Sequence, residues 1–307
     1  LESQITYTGP SLNVADANDD EETPNESTTA LKRAAENFRN TAENVTNYVI
    51  RIINKATGND NTLNVTLKDV NIDASSSKTN DAALSVEGAG DTKITLVGDN
   101  KLTSGNQCAG LEHNEESTGT TGKLTITSGT DKNGNNTGSL TATGSGASAG
   151  IGSVTFFLGS GAGIIEIAGG TITEAIGGDG GAGIGSGANS FGTTTVNITS
   201  GTVKAQGGDY GAGIGGGDNS RNTNITISGG TIEEAVGGST GDGIGGGNNS
   251  SNITVTIQGG TIKKAQGGKG NFYAGHGIHS DSTLNISGGT IENAQGGNGN
   301  YYGGHGI

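Results

Sequence analysis

The sequence predicts an all-β fold, a right-handed parallel β-helix of about eight coils with roughly 30 residues in each. Two observations predict it. A Gly-Gly-Thr-Ile string or a close variant recurs every 29 to 31 residues, with its threonine at Thr171, Thr202, Thr231, Thr261 and Thr290. A Gly-Ile pair follows each string, at Ile184, Ile214, Ile244, Ile278 and Ile307. A fixed period of this length without a helical pattern is typical of one turn of a solenoid.

The strands of each coil are indicated by alternation. Apolar and polar residues alternate just before the repeated string, as at Ile225 and Ile227. This period of two predicts a strand with one face turned inward. The spacing continues upstream in weaker form at Val65/Leu67, Ile94/Leu96 and Leu124/Ile126. Glycine, which supplies 61 of the 307 residues, is expected at the corners between strands.

Charged residues at equivalent outward positions of adjacent coils support the alignment of the repeats. Glu233, Lys263 and Glu292 alternate in sign one coil apart, and so do Glu234 and Lys264. Opposite charges on adjacent rungs attract, whereas like charges would repel.

Three segments follow from the change of pattern along the chain. Residues 1–26 form an acidic arm, residues 27–46 predict a short helix that caps the solenoid, and residues 47–307 form the β-helix. The stretch Gln4 to Thr8 alternates like a strand. We therefore expect Ile5 and Tyr7 to contact a neighbouring subunit by adding a strand to its sheet.

Composition excludes several function classes. A formal net charge of −14 argues against nucleic acid, which needs a basic footprint, and no apolar run is long enough to insert into a membrane. The single cysteine, Cys108, excludes a disulfide scaffold and is expected to be a small buried residue. Common catalytic motifs are absent, which predicts that the protein is not an enzyme. The lack of methionine indicates a processed or partial chain.

Aromatic residues make up only 4% of the chain, so their placement is informative. Phe272 and Tyr273 lie in the same loop as Tyr301 and Tyr302 of the next coil, and Tyr210 lies near that column. Stacked rings on a solenoid flank can bind sugars, contact another subunit or pack locally. All three alternatives stay open at the level of sequence.

Acidic residues suggest a calcium site. Asp179 and Asp209 occupy matching positions in adjacent coils, where their carboxylates would lie about 5 Å apart and could share one Ca²⁺. The same separation fits a retaining glycosidase, although no sugar-positioning aromatic is predicted beside it. Residues 237–244 nearly match a calcium-binding nonapeptide, which adds Asp242.

Histidines suggest a second kind of metal site. His276 and His305 share one column, and His279 lies nearby. Because a metal site needs a third ligand, we expect these histidines to be solvated or hydrogen-bonded instead.

Asparagines in N-x-[ST] sequons alternate with inward apolar residues, so their side chains are predicted to point outward. They are glycosylation candidates if the source has that pathway. The candidates are Asn64, Asn197, Asn224, Asn252 and Asn285.

Two stretches carry a family resemblance. Residues 224–232, Asn-Ile-Thr-Ile-Ser-Gly-Gly-Thr-Ile, together with the glycine-rich residues 211–217, resemble repeats of bacterial cell-surface β-helix proteins. His276-Gly277-Ile278-His279-Ser280-Asp281, followed by residues 284–291, is similar to a coil of the carbohydrate-binding domain family, which is akin to pectate lyases. The resemblance covers residues 145–307. It implies an extracellular polysaccharide binder that contains calcium, with Asp242 and Asp281 at the family's acidic positions.

These observations lead us to expect a non-catalytic structural or adhesive solenoid at the cell surface, assembled head to tail as a filament of identical subunits. The alternative is a polysaccharide-binding module assisted by Ca²⁺, and a polysaccharide lyase is a further alternative. No cofactor is required by the sequence, and Ca²⁺ is the candidate ion.

Overall fold

The computed structural model describes residues 3–7, 12–14, 49–57, 62–76, 80–115, 121–130, 135–155 and 160–307. Regular structure in these residues is strand, and the predicted capping helix at residues 27–46 lies outside them. None of the described residues forms a helix that could span a bilayer. The strands are β1 (Ser3–Tyr7), β2 (Leu12–Val14), β3 (Ile50–Asn54), β4 (Leu63–Lys68), β5 (Asn71–Asp73), β6 (Leu84–Glu87), β7 (Thr92–Thr103), β8 (Leu111–His113), β9 (Leu124–Ser128), β10 (Gly138–Thr143), β11 (Ile151–Gly152), β12 (Gly163–Ile176), β13 (Ile184–Gly185), β14 (Thr194–Gln206), β15 (Ile214–Gly215), β16 (Arg221–Ile227), β17 (Thr231–Val236), β18 (Ile244–Gly245), β19 (Ser251–Ile262), β20 (Ala265–Gln266), β21 (Thr283–Ile291) and β22 (Ala294–Gln295).

Successive turns pair in parallel, which confirms a parallel β-solenoid of about eight turns. One sheet has eight strands in the order β1-β3-β6-β8-β11-β13-β15-β18. The other has 14 strands and bends in each turn, so that β12 pairs with β9 through its first half and with β10 through its second half. Each turn therefore presents three strand segments to its neighbours.

The core consists of columns of identical or similar apolar residues. Ile184 is paired with Ile214 and Ile214 with Ile244, and all three are fully buried. Val196, Ile225 and Val255 form a second column, which continues to Leu284. A chain with few large apolar residues can bury a core in this way, because each side chain packs on its equivalents in adjacent turns.

Glycine corners and polar ladders take the predicted positions. The glycine before each repeated threonine has a positive φ, for example 73° at Gly230 and 77° at Gly260. On the outer face, Lys263 Nζ lies 2.8 Å from Glu233 Oε1 and Lys264 Nζ lies 2.7 Å from Glu234 Oε1. The charge alternation read from the sequence is thus an inter-coil ion-pair ladder.

The N-terminal strands differ from the expectation. We expected Ile5 and Tyr7 to pair with a neighbouring subunit, but β1 pairs with β3 of the same chain, with Ile5 opposite Ile52 and Tyr7 opposite Asn54. Strand β2 likewise pairs with β4. Part of the segment taken as an arm therefore belongs to the first turn, because its alternation suits a rung of its own solenoid as well as a foreign one. Strand exchange between subunits stays a prediction.

Gly215 gives a direct test of the close approach between turns. It has a φ of 133°, and a Cβ at this position would lie 2.0 Å from the carbonyl oxygen of Gly245 in the next turn. We expect Gly215→Ala to lower the free energy of unfolding by at least about 1–3 kcal/mol, measured by chemical denaturation.

Gly303→Ala is the matched control for this substitution. A Cβ at Gly303 meets no atom closer than 3.6 Å, so its effect should stay within about 0.5 kcal/mol. Equal stability of the two variants would contradict the stacking register.

Candidate functional site: a groove at the aromatic ladder

The lengths of the connections between strands change at the turn that contains residues 267–282. Ile244 and Ile253 are nine residues apart, whereas their counterparts in the next turn, Ile278 and Ser282, are four residues apart. On the other side of this turn, Ile278 follows Gly267 by eleven positions, whereas in the previous turn Ile244 follows Gly237 by seven. The loop is thus four residues longer. One corner is therefore shortened and another is lengthened, which leaves part of the preceding turn uncovered.

The lengthened loops carry two columns of stacked aromatic rings. Phe272 and Tyr301 have ring centroids 5.4 Å apart at an interplanar angle of 10°, and Tyr273 and Tyr302 have centroids 5.3 Å apart at 5°. All four side chains are between 62% and 73% exposed. We call these four residues the aromatic ladder.

Tyr210 does not join this ladder. It is 46% exposed and lies on an earlier turn, where its backbone accepts a hydrogen bond from Asn248 N. Its turn has the shorter loop, which explains why its ring does not reach the column. The sequence position alone could not separate Tyr210 from the ladder.

The uncovered corner forms a groove of about 180 Å³ beside the aromatic ladder. Tyr273 lines one part of it, and Asp242, His276 and His279 line another. Of the residues that the structure describes, these last three are the one set of three or more His, Cys, Asp or Glu side chains whose ligand atoms all lie within 4.8 Å of one another. We call them the His/Asp cluster.

Asp242 anchors the cluster. Its side chain is 6% exposed, and its Oδ1 accepts a hydrogen bond from the backbone N–H of His276 at 2.8 Å. Its Oδ2 accepts one from the backbone N–H of Gly246 at 3.0 Å and lies 3.1 Å from His279 Nδ1. The equivalent residue in the two preceding turns is Ala182 or Ala212, so this buried carboxylate is specific to one turn.

The three histidines are stacked and differ in electrostatic environment. His276 lies between His279, at a ring distance of 4.5 Å, and His305, at 5.4 Å. The hydrogen bond to Asp242 raises the pKa of His279, whereas burial lowers the pKa of His276. His276 Nδ1 accepts a hydrogen bond from His305 N at 2.9 Å. His276 and His279 are thus both hydrogen-bonded.

The four acids predicted as metal ligands fall into different places. Asp179 and Asp209 are exposed on the outer face and belong to no cluster among the described residues. Asp281 accepts hydrogen bonds from the backbone N–H groups of Asn252 and Ile253, at 2.9 and 2.6 Å. Of these four acids, Asp242 alone lies in the His/Asp cluster, and its partners there are histidines, whereas the sequence pattern had grouped it with other acids.

The sequon asparagines lie on strands and point away from the core, as expected. Asn224 and Asn285 are exposed, whereas Asn64 and Asn197 are half-buried. Asn252 donates its side-chain amide to Asn222 Oδ1 at 2.7 Å. Their use as glycosylation sites stays a prediction.

Three of these asparagines belong to an uncharged surface on four successive turns. Two columns of outward side chains contain only threonine and asparagine, and none of these eight side chains has a hydrogen-bond partner in the described part of the chain. The columns are Thr195-Asn224-Thr254-Thr283 and Asn197-Thr226-Thr256-Asn285. We call this set the Thr/Asn face.

A second groove, of about 210 Å³, lies near the N-terminal end and contains Cys108 and Glu112. Burial raises the pKa of Glu112 to about 7 and that of the Cys108 thiol to about 12. Across the groove, Arg51 forms a two-point ion pair with Glu87, with distances of 2.8 and 2.6 Å. Cys108 is buried, as predicted, and its thiolate is disfavoured.

The comparisons with known proteins bear on the fold. A family model described as a beta helix repeat matches residues 196–218, 225–248 and 255–282, which lie on three successive turns. No curated protein and no solved structure matches the chain. Together with the parallel solenoid, this match supports a β-helix repeat protein.

Glu112 predicts a pH dependence of stability. Its pKa in the folded state is about 7, against an ordinary value of 4.5, so folding favours the protonated form. Its contribution is complete below the ordinary pKa and is lost as the pH rises through the folded-state value. We expect the thermal midpoint to fall as the pH rises between about 5 and 8, and Glu112→Gln to remove this part of the fall.

A control substitution must leave the charged neighbours of Glu112 in place. The Glu87 carboxylate raises the pKa of Glu112 and the Arg51 guanidinium lowers it, so neither residue should be changed in this experiment. Glu174→Gln, on the exposed outer face, should leave the profile unchanged. A Glu112→Gln variant with the pH profile of the wild type would refute the assignment.

Proposed function

We propose that this β-helix repeat protein is a non-catalytic, extracellular, adhesive solenoid that binds polysaccharide along the aromatic ladder. The observation that carries the proposal is the exposure of four aromatic rings, each more than 60% accessible, on two successive turns. Aromatic side chains are usually buried, and an exposed contiguous set of them marks an interaction surface.

The chemistry of the ladder suits sugars. The rings stack within each column, and each of the four residues is more than 60% exposed. Such a surface offers apolar contact for sugar C–H groups and hydrogen bonds for sugar hydroxyls. Tyr273 also lines the groove, where the polar side chains of Asn248 and Ser250 are within the same cavity.

The charge distribution favours a neutral polysaccharide. The chain carries a net charge of −14, which repels polyanions at long range. The Thr/Asn face carries no charge over four turns and has free hydroxyl and amide groups. A neutral polymer with many hydroxyl groups can make hydrogen bonds to such a surface without the cost of desolvating a charge.

Catalysis is not part of the proposal, because the acids at the groove are already engaged. Asp242 is held by two backbone N–H groups and by His279, and Asp281 is held by two backbone N–H groups. Assembly into a filament through the N-terminal strand is not part of the proposal either, since β1 is paired with β3 of its own chain.

The proposal predicts that the double variant Tyr273→Ala/Tyr302→Ala loses retention on neutral polysaccharides. Removal of two rings should weaken binding by at least about tenfold. Affinity electrophoresis and pull-down with a panel of soluble and insoluble neutral glycans measure this, and an acidic glycan serves as the charge control.

Tyr210→Ala is the matched control, because this tyrosine is exposed but outside the ladder. It should bind like the wild type. Unchanged retention of the double variant would refute the proposal, and so would a wild-type protein that binds no glycan of the panel. If light scattering showed that the wild type self-associates and the double variant does not, the ladder would be a subunit contact instead.

A further inference from the structure

We propose that the His/Asp cluster is a binding site for a divalent transition-metal ion of the zinc class. Asp242, His276 and His279 each offer a ligand atom, and these atoms all lie within 4.8 Å of one another. This inference is independent of the glycan proposal, since it concerns the ion alone.

The ligand types decide the class of ion. Two imidazole rings and one carboxylate are donors that suit zinc, copper, nickel and iron. Calcium prefers six to eight oxygen ligands, which these three residues do not supply. The Ca²⁺ expected from the acidic residues is therefore replaced at this place by a metal that accepts nitrogen ligands.

The spacing of two ligands already suits one ion. Asp242 Oδ2 and His279 Nδ1 are 3.1 Å apart. Two ligands of a tetrahedral zinc ion, each about 2.1 Å from the metal, lie roughly 3.4 Å from each other. A metal ion can thus replace the proton that these two atoms share, with only a small movement of a half-exposed imidazole.

The third ligand, His276, must give up a hydrogen bond in order to bind the metal ion. Its Nδ1 accepts the backbone N–H of His305 at 2.9 Å, so the neutral ring carries its lone pair at that atom. Ligation by this ring exchanges a hydrogen bond for a metal bond, which moderates the affinity. Metal release then restores the hydrogen bond between two adjacent turns.

The groups around the cluster hold its carboxylate in a fixed orientation. The buried Asp242 carboxylate is oriented by the backbone N–H groups of His276 and Gly246 before any ion arrives. A buried carboxylate is stable only when a cation or strong donors accompany it. Thr240 lines the same groove, and its hydroxyl oxygen is buried without a hydrogen-bond partner among the described residues, which makes it a further polar group near the site.

The fold explains why the cluster occurs in one turn. Asp242 and His276 occupy the same column one turn apart, and the shortened corner after Ile278 brings His279 next to Asp242. The earlier turns have alanine in this column and longer corners. The site therefore arises from the same change of outline that opens the groove.

Metal binding to the full chain tests this inference. Isothermal titration with Zn²⁺, and separately with Ca²⁺, should show one Zn²⁺ per chain and much weaker binding of Ca²⁺. Substitution with Co²⁺ should give visible absorption bands of a four- or five-coordinate ion. His279→Ala and His276→Ala should each weaken Zn²⁺ binding by at least about tenfold.

His305→Gln is the matched control, since its ring stacks on His276 but is not one of the three ligands. It should bind Zn²⁺ within about twofold of the wild type, because it retains all three donors. Asp242→Asn keeps the shape of the anchor and should also lose binding, with circular dichroism to verify the fold. Equal affinity of His279→Ala and wild type, equal loss in His305→Gln, tighter binding of Ca²⁺ or no binding of Zn²⁺ would each overturn the proposal.

Discussion

The hydrogen-bonded register between successive turns is the constraint on which the rest of the structure depends. Each turn lies about 4.8 Å from the next, and its strands pair in parallel with the equivalent strands. A residue is thus placed against its own equivalent, whatever its chemistry. Isoleucine stacks on isoleucine in the core, which is why a glycine-rich chain with few large apolar side chains can bury enough surface to fold. Glycine is needed where the backbones of adjacent turns come close, as at Gly215 and Gly245.

The same register determines which polar residues can repeat at equivalent positions on the surface. Equivalent residues stand one rung apart, so identical charges would repel, and the chain alternates Glu233 with Lys263. Uncharged residues can repeat without this cost. Asn219 donates its side-chain amide to Asn189 Oδ1 at 2.9 Å, and Tyr273 stacks on Tyr302. Histidine is intermediate, because its neutral ring can stack whereas its charged ring repels its neighbours. This explains why a histidine column is accompanied by a buried carboxylate.

Features that repeat could be predicted from the sequence, whereas features that depend on a break in the repeat could not. The strands, the glycine corners and the Glu/Lys ladder follow from a period of about 30 residues, and they are confirmed. The aromatic ladder was readable because Phe272 and Tyr301 occupy equivalent positions. The same spacing predicts that Asp179 and Asp209 share an ion, but both are exposed and belong to no ligand cluster among the described residues. The His/Asp cluster combines two columns and a shortened corner, so no single column reveals it. The length of the turn, 34 residues from Ile244 to Ile278 instead of 30, was the available signal.

In a regular solenoid, equivalent side chains of successive turns align in columns. The resulting surface is flat and has no concave site. A cavity that holds a ligand on several sides requires one turn to differ from the one before. In this chain the change comes at the turn that contains residues 267–282, where one loop grows and the opposite corner shrinks. The aromatic ladder, the groove and the His/Asp cluster all include residues of that turn. Sequence changes that would be minor in a globular domain therefore create the site here, because the surrounding turns hold every other residue in register.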